Sequence, residues 1–210
     1  MKKALRVILI LLVLVLISVH VYGFFGIKDA SIEMNPENLI VVEAPDQTEA
    51  MEHPDFIKEE YVPVIPEGTN IALEGKATAS SFTQVYNARR AIDGVAVGVS
   101  YWEAAPNSYP NTLTVDLQRK APIHAIRICL NPASIWAKRT QTFSVKISDD
   151  GENFEELIPM QQYTFDPDRN NEVVLEFDTV ETQFVQLEFT ENSGATGGQV
   201  AEFEIYSKES

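Results

Sequence analysis

From residue 70 onward, apolar side chains recur at every second position in short runs, and almost nothing recurs at helical spacing. Leu113, Val115 and Leu117 alternate with Thr114 and Asp116; Ile126, Ile128 and Leu130 form a second trio, and Phe143, Val145 and Ile147 a third. Side chains two apart on a strand share a face, so each trio predicts the inner face of one strand. Asp149-Asp150-Gly151 predicts a tight reversal into Phe154 and Leu157, and residues 173–177, 185–189 and 203–205 predict the remaining strands. About eight strands in about 140 residues fit an all-β, two-sheet jelly roll. The same alternation turns Trp102 into the core, and Cys129 in Ile126-Arg127-Ile128-Cys129-Leu130 is expected to be a packed, inert thiol.

The first residues follow another pattern. Lys2, Lys3 and Arg6 precede an unbroken apolar run over residues 7–19, too hydrophobic all round for a surface helix. Taken through His20 to Ile27 the run is long enough to span a bilayer, with Tyr22, Phe24 and Phe25 as interfacial aromatics. Residues 1–27 are therefore expected to form a membrane anchor. The alternative is a signal peptide ending at Val21-Tyr22-Gly23, whose removal leaves the protein secreted. The basic residues precede the run, so the positive-inside rule places the rest of the chain outside the cytoplasm. Residues 28–69 are acidic and interrupted by Pro36, Pro45, Pro54, Pro63 and Pro66, which predicts an extended stalk. Within it, Asn38-Leu39-Ile40-Val41-Val42 and Tyr61-Val62-Pro63-Val64-Ile65 are apolar enough to dock on the folded domain, residues 70–210, or on a partner.

The formal net charge of −15 argues against a nucleic-acid partner, because phosphate backbones are bound by clustered Lys and Arg. Cys129 is the single cysteine, so no intrachain disulfide forms. His124 is the only histidine after residue 70, there is no Gly-x-Ser-x-Gly elbow, and the carboxylates are scattered over strand faces and turns. An enzyme is not expected.

Chemistry concentrates instead in Ala91-Ile92-Asp93-Gly94, followed by Tyr101-Trp102-Glu103 and answered near the C-terminus by Ala201-Glu202-Phe203-Glu204-Ile205-Tyr206. An acidic turn paired with a distant carboxylate suits a hard cation that pins the two ends of the domain together. With Asn70-Ile71-Ala72, Ala77-Thr78-Ala79-Ser80-Ser81 and Leu113-Thr114-Val115-Asp116-Leu117, these fragments occur in an order that resembles the discoidin, or coagulation factor V/VIII type C, family from Asn70 to about Tyr206. Ser108-Tyr109-Pro110-Asn111-Thr112-Leu113 and Trp136-Ala137-Lys138-Arg139-Thr140-Gln141-Thr142 are most similar to bacterial carbohydrate-binding modules of family 32 type. The resemblance implies a galactose-binding-like β-sandwich. It also implies a structural Ca2+ held by the carbonyls of Arg90, Val95 and Ala201 and the side chains of Asp93, Ser100 and Glu202. Where relatives often carry Asn or Asp after the Asp-Gly pair this chain has Val95, in an apolar loop that runs to Val99.

Sugar recognition needs a flat aromatic face and a few convergent polar groups. Trp136 and Arg139 supply one of each, and the clustering of loops that the resemblance implies adds Glu103, Asn107 and the loop from Asn192 to Gly194. The relatives' usual site histidine has no counterpart, which leaves α-glucan and galactose-type glycans both open. The expected function is non-catalytic binding of a polysaccharide or glycan at the outer face of a bacterial membrane or cell wall. The alternative is a protein-interaction module that takes an envelope protein through Phe82, Tyr86 and Trp136.

Overall fold

The computed structural model describes residues 12–15, which are helical, and residues 61–208. The rest of the expected anchor and the stalk up to residue 60 lie outside the described residues. Among the described residues no helix is long and apolar enough to cross a membrane. Two compact units divide the chain, Met1–Lys58 and Glu59–Ser210, and the second carries the fold.

Its strands are β1 (Thr69–Asn70), β2 (Lys76–Ala79), β3 (Trp102–Glu103), β4 (Asn111–Cys129), β5 (Arg139–Ser148), β6 (Glu155–Phe165), β7 (Glu172–Asn192), β8 (Gln199–Val200) and β9 (Glu202–Ser207), joined by loops and 3-10 turns. All pairings are antiparallel. Two of the predicted trios prove to be halves of one strand. The 113–117 and 126–130 runs both lie on or just past β4, and the 173–177 and 185–189 runs both lie on β7.

The reason is visible in the register. Asn111 to Asp116 pairs with Phe189 to Phe184, and Ala121 to Cys129 pairs with Thr182 to Glu172, with a shift between Asp116 and Ala121 where the ribbon turns a corner. Gln118, Arg119 and Lys120 are exposed there and Gln118 takes a left-handed φ of 62°. Asp116 steadies the corner by accepting from Gln118 N at 2.7 Å and from Gln183 Nε2 of β7 at 3.0 Å. A second shift between Ile123 and Ala125 flips the alternation, so that Leu113, Val115, Leu117 and Ile123 are followed inward by Ile126 and Ile128. Before the corner the ribbon is flanked by β2 on one side and by β5 and β6 on the other; after it, by β9 and β1. The result is two sheets facing one core.

Trp102, Phe143, Phe165, Phe189 and Phe203 are fully buried in that core. Each large apolar side chain so buried contributes about 1.5–3 kcal/mol. Trp102 packs 5.7 Å from Phe189 and satisfies its indole N–H on Ser81 O at 3.0 Å, the core role expected of it. Cys129 is 1 % exposed and burial pushes its thiol up to about 12, which keeps it protonated and inert. The Asp149-Asp150-Gly151 segment is a turn in which Asp150 accepts from Glu152 N, Asn153 N and Asn153 Nδ2.

Tyr61 and Val64 tie the end of the stalk to the outer face of the second sheet, while the side chains of Val62, Val64 and Ile65 stay exposed. Tyr61 Oη donates to Glu172 Oε1 at 2.9 Å, and Val64 N donates to the same oxygen at 2.9 Å. Beneath them Arg127 bridges Glu172 and Glu204, while Tyr206 Oη donates to Glu204 Oε2 at 2.6 Å. Burial would push the Glu172 carboxyl up, but the donors from Val64, Arg127, Asn170 and Tyr61 hold it below its ordinary value. That stabilisation is present above the unfolded carboxylate pKa and is lost as pH falls through the lowered folded value.

Residues 61–66, ahead of residue 70, therefore pack with the domain. A chain of residues 70–210 will melt about 5 °C below one of residues 59–210 at pH 7 by calorimetry, since at least one hydrogen bond to a buried carboxylate is lost. Tyr61→Phe will reproduce part of that loss. The gap will hold above pH 4.5 and narrow only as pH falls below it, toward the lowered folded pKa of Glu172.

Candidate functional site

The corner in the β4–β7 ribbon brings both of its ends to one end of the sandwich. Gly198 N donates to Asn111 Oδ1 at 2.9 Å and Ala201 N to Cys129 O at 2.7 Å, so two ends of β4 lie within three residues of each other along the β8–β9 segment. The loops at this end carry most of the residues that the sequence singled out.

The polar centre is Gln199, which stands opposite Glu103 in the β3–β8 pair. Its Nε2 donates to Glu103 Oε2 at 3.0 Å and its Oε1 accepts from Arg139 Nη1 at 2.7 Å. Its backbone N donates to Gln141 Oε1 at 2.8 Å, and Gln141 Nε2 returns a bond to Gln199 O at 2.9 Å. Both glutamines are buried, so the pair is rigid. Arg139 also donates to the carbonyls of Trp136 and Ala137, and its guanidinium carbon lies 5.1 Å from the Trp136 ring centroid.

An aromatic row leads away from Trp136. Tyr101 meets it edge-on at 4.8 Å, and Tyr86 stacks on Tyr101 at 4.2 Å with the planes 18° apart. Burial and the Tyr86 hydroxyl push the Tyr101 phenol upward, so it remains a protonated donor at all physiological pH. Glu103, Trp136 and Arg139 are thus joined through Gln199. Asn107 sits on the neighbouring loop, exposed, with a left-handed φ of 55° and its N–H on Thr196 O at 2.8 Å.

Asn192 takes another role. Its side chain is buried, with Nδ2 on Gln141 Oε1, Gly197 O and Gln199 Oε1, and Oδ1 accepting from Gly194 N. It shapes the 193–198 loop and presents no amide at the surface. Gln199 was not singled out from sequence; Tyr86 was named only for the protein-interaction alternative, and Tyr101 only as part of Tyr101-Trp102-Glu103. Tyr101 carried a signal, because a strand that points Trp102 inward points its neighbour out. The pairing of Gln199 with Glu103 had none.

A second cluster lies beside the first. Glu202 is 2 % exposed and accepts from Gly94 N and Val95 N at 3.1–3.2 Å. Asp93 accepts from Val95 N at 3.0 Å and from the Ser100 hydroxyl. Arg90 Nη1 closes the same loop on Val99 O at 2.8 Å, and Asn131 Nδ2 ties it to the 131–136 loop through Gly98 O at 2.9 Å. Arg90 belongs to the 3-10 turn Ala88–Ile92, and Ala201 precedes β9. Burial pushes the Glu202 carboxyl up to about 8, with the charges of Asp93 and Glu204 adding to it against the two backbone donors. A buried carboxylate beside a second one, without a counter-charge, is a donor set that a cation fits. Among the described residues no group of three or more acidic, His or Cys side chains converges, so two carboxylates and a hydroxyl are the side-chain share of such a shell.

Fold and loops together define the class, a jelly-roll β-sandwich with its irregular loops gathered at one end. The chain belongs to the F5/8 type C domain family, whose model matches residues 76–203. Among solved structures it is similar to chitosan-binding module 1 derived from a chitosanase/glucanase of Paenibacillus sp. IK-5, with 22 % identity over 66 % of this chain and 99 % of that one and a TM-score of 0.51. It is also similar to the Clostridium perfringens module CpGH89CBM32-5, solved in complex with GalNAc-β-1,3-galactose, with 21 % identity over 66 % and 99 % of the two chains and a TM-score of 0.54. A family 89 glycoside hydrolase from Clostridium perfringens matches with 24 % identity over 67 % of this chain, 15 % of its own length, and a TM-score of 0.54. Curated protein sequences gave no match.

Gly194 packs on the Arg139 guanidinium so closely that an added Cβ would lie 2.7–2.8 Å from its Nε, Cδ and Cζ. Gly194→Ala will therefore displace Arg139 from Gln199 while leaving the core intact. A crystal structure of the variant will show the Arg139–Gln199 bond broken, with the melting temperature within about 2 °C of the parent.

Proposed function

We propose that this protein binds a glycan, without cleaving it, at the end of the sandwich that carries Tyr86, Tyr101, Trp136 and the Glu103–Gln199–Arg139 chain. The observation that carries the proposal is the pairing of an aromatic row with a preorganised polar network at one end of a rigid sandwich. A pyranose offers a C–H face to an aromatic ring and hydroxyls to fixed donors and acceptors, which is the complement of that arrangement. Glycoside modules of the same fold, among them the chitosan-binding module and the module in complex with GalNAc-β-1,3-galactose, lend it further support. Glycoside hydrolysis calls for two carboxylates flanking the bond. Among the residues of this network only Glu103 is acidic, and its Oε2 is engaged by Gln199.

A Ca2+ ion held by Asp93, Ser100 and Glu202, with the carbonyls of Arg90, Val95 and Ala201, completes the proposal. The ion supplies the charge that the buried Glu202 lacks and locks the 93–100 loop, which is tied in turn to the loop carrying Trp136. The membrane anchor, or the signal peptide that replaces it, puts the module outside the cytoplasm. There, the acidic stalk holds it away from the surface. An envelope protein is the second occupant to consider, favoured by the exposure of Phe82 (54 %), Val99 (68 %) and Ile135 (87 %).

Two experiments test these proposals. Residues 59–210 will be retained on an insoluble polysaccharide, α-glucan or galactan in type, and released by the matching soluble sugar; Trp136→Ala will lose retention and keep its melting temperature. Retention that survives Trp136→Ala removes the site assignment, and binding to envelope proteins that sugar does not compete favours the second occupant.

Calcium at about 100 times its Kd will raise the melting temperature by about 5–10 °C at pH 8, and chelator or Glu202→Gln will abolish the rise. Without a cation, Glu202 stabilises the fold most below its unfolded pKa of 4.5 and loses that contribution as pH rises through about 8. Proton and cation therefore compete, and the calcium response shrinks as pH falls toward 5. A response independent of pH and of Glu202 contradicts the assignment.

A further inference from the structure

A groove of about 480 Å3 runs between β2 and the 3-10 turn Ala88–Ile92. Its walls pair Leu73, Ala77 and Ile92 with Lys76, Thr78 and Arg89, and Asp93 stands at its edge. The volume lies within the span of small-ligand clefts, about 300–1,000 Å3.

Two cations line the groove together. Lys120, Lys138, Lys146 and Lys208 each take one carboxylate, at 2.7–3.0 Å, and Arg127 takes two. Among the described residues neither Lys76 nor Arg89 forms an ion pair or a side-chain hydrogen bond; Arg119 is alike in this, but Lys76 and Arg89 line one cavity together. Arg89 is set on the groove by the start of its turn, where Asn87 Oδ1 accepts from Arg89 N at 3.1 Å, and Lys76 is set by the pairing of β2 with β4. Leu73, 51 % exposed, lays an apolar shelf beside them.

We infer that this groove is a second binding site, for the carboxylate of a uronic-acid residue in an acidic saccharide. A guanidinium and an ammonium are the donors a carboxylate takes most strongly, and a sugar ring matches the rest. Its C–H face lies on Leu73, Ala77 and Ile92, and its hydroxyls reach Thr78. An anion without an apolar body leaves the shelf unused, and a neutral sugar leaves both cations unpaired. The surrounding negative charge makes the site selective: beyond roughly 10 Å it is screened at about 0.1 M salt, so a short uronate is accepted where a densely charged polyanion is resisted. This site is independent of the one at the aromatic end, and a chain bearing both neutral and uronic residues could engage the two together.

The test is calorimetric titration of the full chain, in a neutral detergent, with trigalacturonic acid and with its methyl ester. The acid is expected to bind, with affinity reduced about tenfold by Lys76→Gln/Arg89→Gln and by esterification, and changed less than about twofold by Trp136→Ala. Absence of binding to the parent chain overturns the inference, as does equal affinity for the ester or affinity unchanged in the double variant. Loss of binding in Trp136→Ala also overturns it, because the acid would then belong to the aromatic end. Loss of polysaccharide retention by Trp136→Ala, with uronate binding kept, separates the two sites.

Discussion

One constraint organises this molecule: β4 and β7 stay paired while passing from one sheet to the other. The corner at residues 117–120, with its left-handed Gln118 and the Asp116 bonds across it, lets a single ribbon supply the centre of both sheets. Because the ribbon folds back, Asn111 and Cys129 arrive at the same end, bridged by the short segment from Gly198 to Ala201. The loops that leave these points have no choice but to meet. The proposed recognition site, residues 86, 101, 103, 136, 139 and 199, rests on that geometry, with rigidity supplied by the sandwich beneath it.

Charge is used in two opposite ways on the outer face of the second sheet. Glu172 and Glu204 share Arg127 and receive Tyr61, Asn170, Val64 and Tyr206 as further donors, so their burial is compensated within the protein. Removing one partner from such a cluster costs about 3–5 kcal/mol, because the remaining charge is left buried and unpaired. Glu202, one strand position pair away on β9, has only two backbone donors and Asp93 as a neighbour, and its carboxyl rises instead of falling. The same residue type is structural in one place and a cation ligand by proposal in the other, and what separates them is whether the chain itself brings a counter-charge.

Much of this was legible in the sequence, for identifiable reasons. Alternation located the strand faces because each sheet buries one side, and Trp102 followed the alternation into the core. It did not show that Leu117 and Ile126 belong to one strand, since a polar corner of three residues looks the same as a loop between two strands. The family resemblance located Asp93 and Glu202, which the fold then brought together across 109 positions of sequence. Asn192 looked like a loop contact because an Asn before Ser-Gly is as apt to form a turn inside as to reach outward. The run Tyr61-Val62-Pro63-Val64-Ile65 stood out locally as a segment able to dock, but its acceptor, Glu172, lies more than a hundred residues away and carried no local signal.

The central claim is that glycan meets the aromatic end of the sandwich, and the two tryptophans of the chain make it directly measurable. Trp102 keeps its indole N–H inside on Ser81, whereas Trp136 stands at the end itself. In a nitrogen-15 correlation spectrum of residues 59–210 titrated with the polysaccharide fragment that the protein retains, the Trp136 indole signal and the Tyr86 and Tyr101 amides will shift in proportion to occupancy, and the Trp102 indole will stay in place. A Trp136 indole that does not move at saturating glycan, with shifts gathered elsewhere on the domain, contradicts the account.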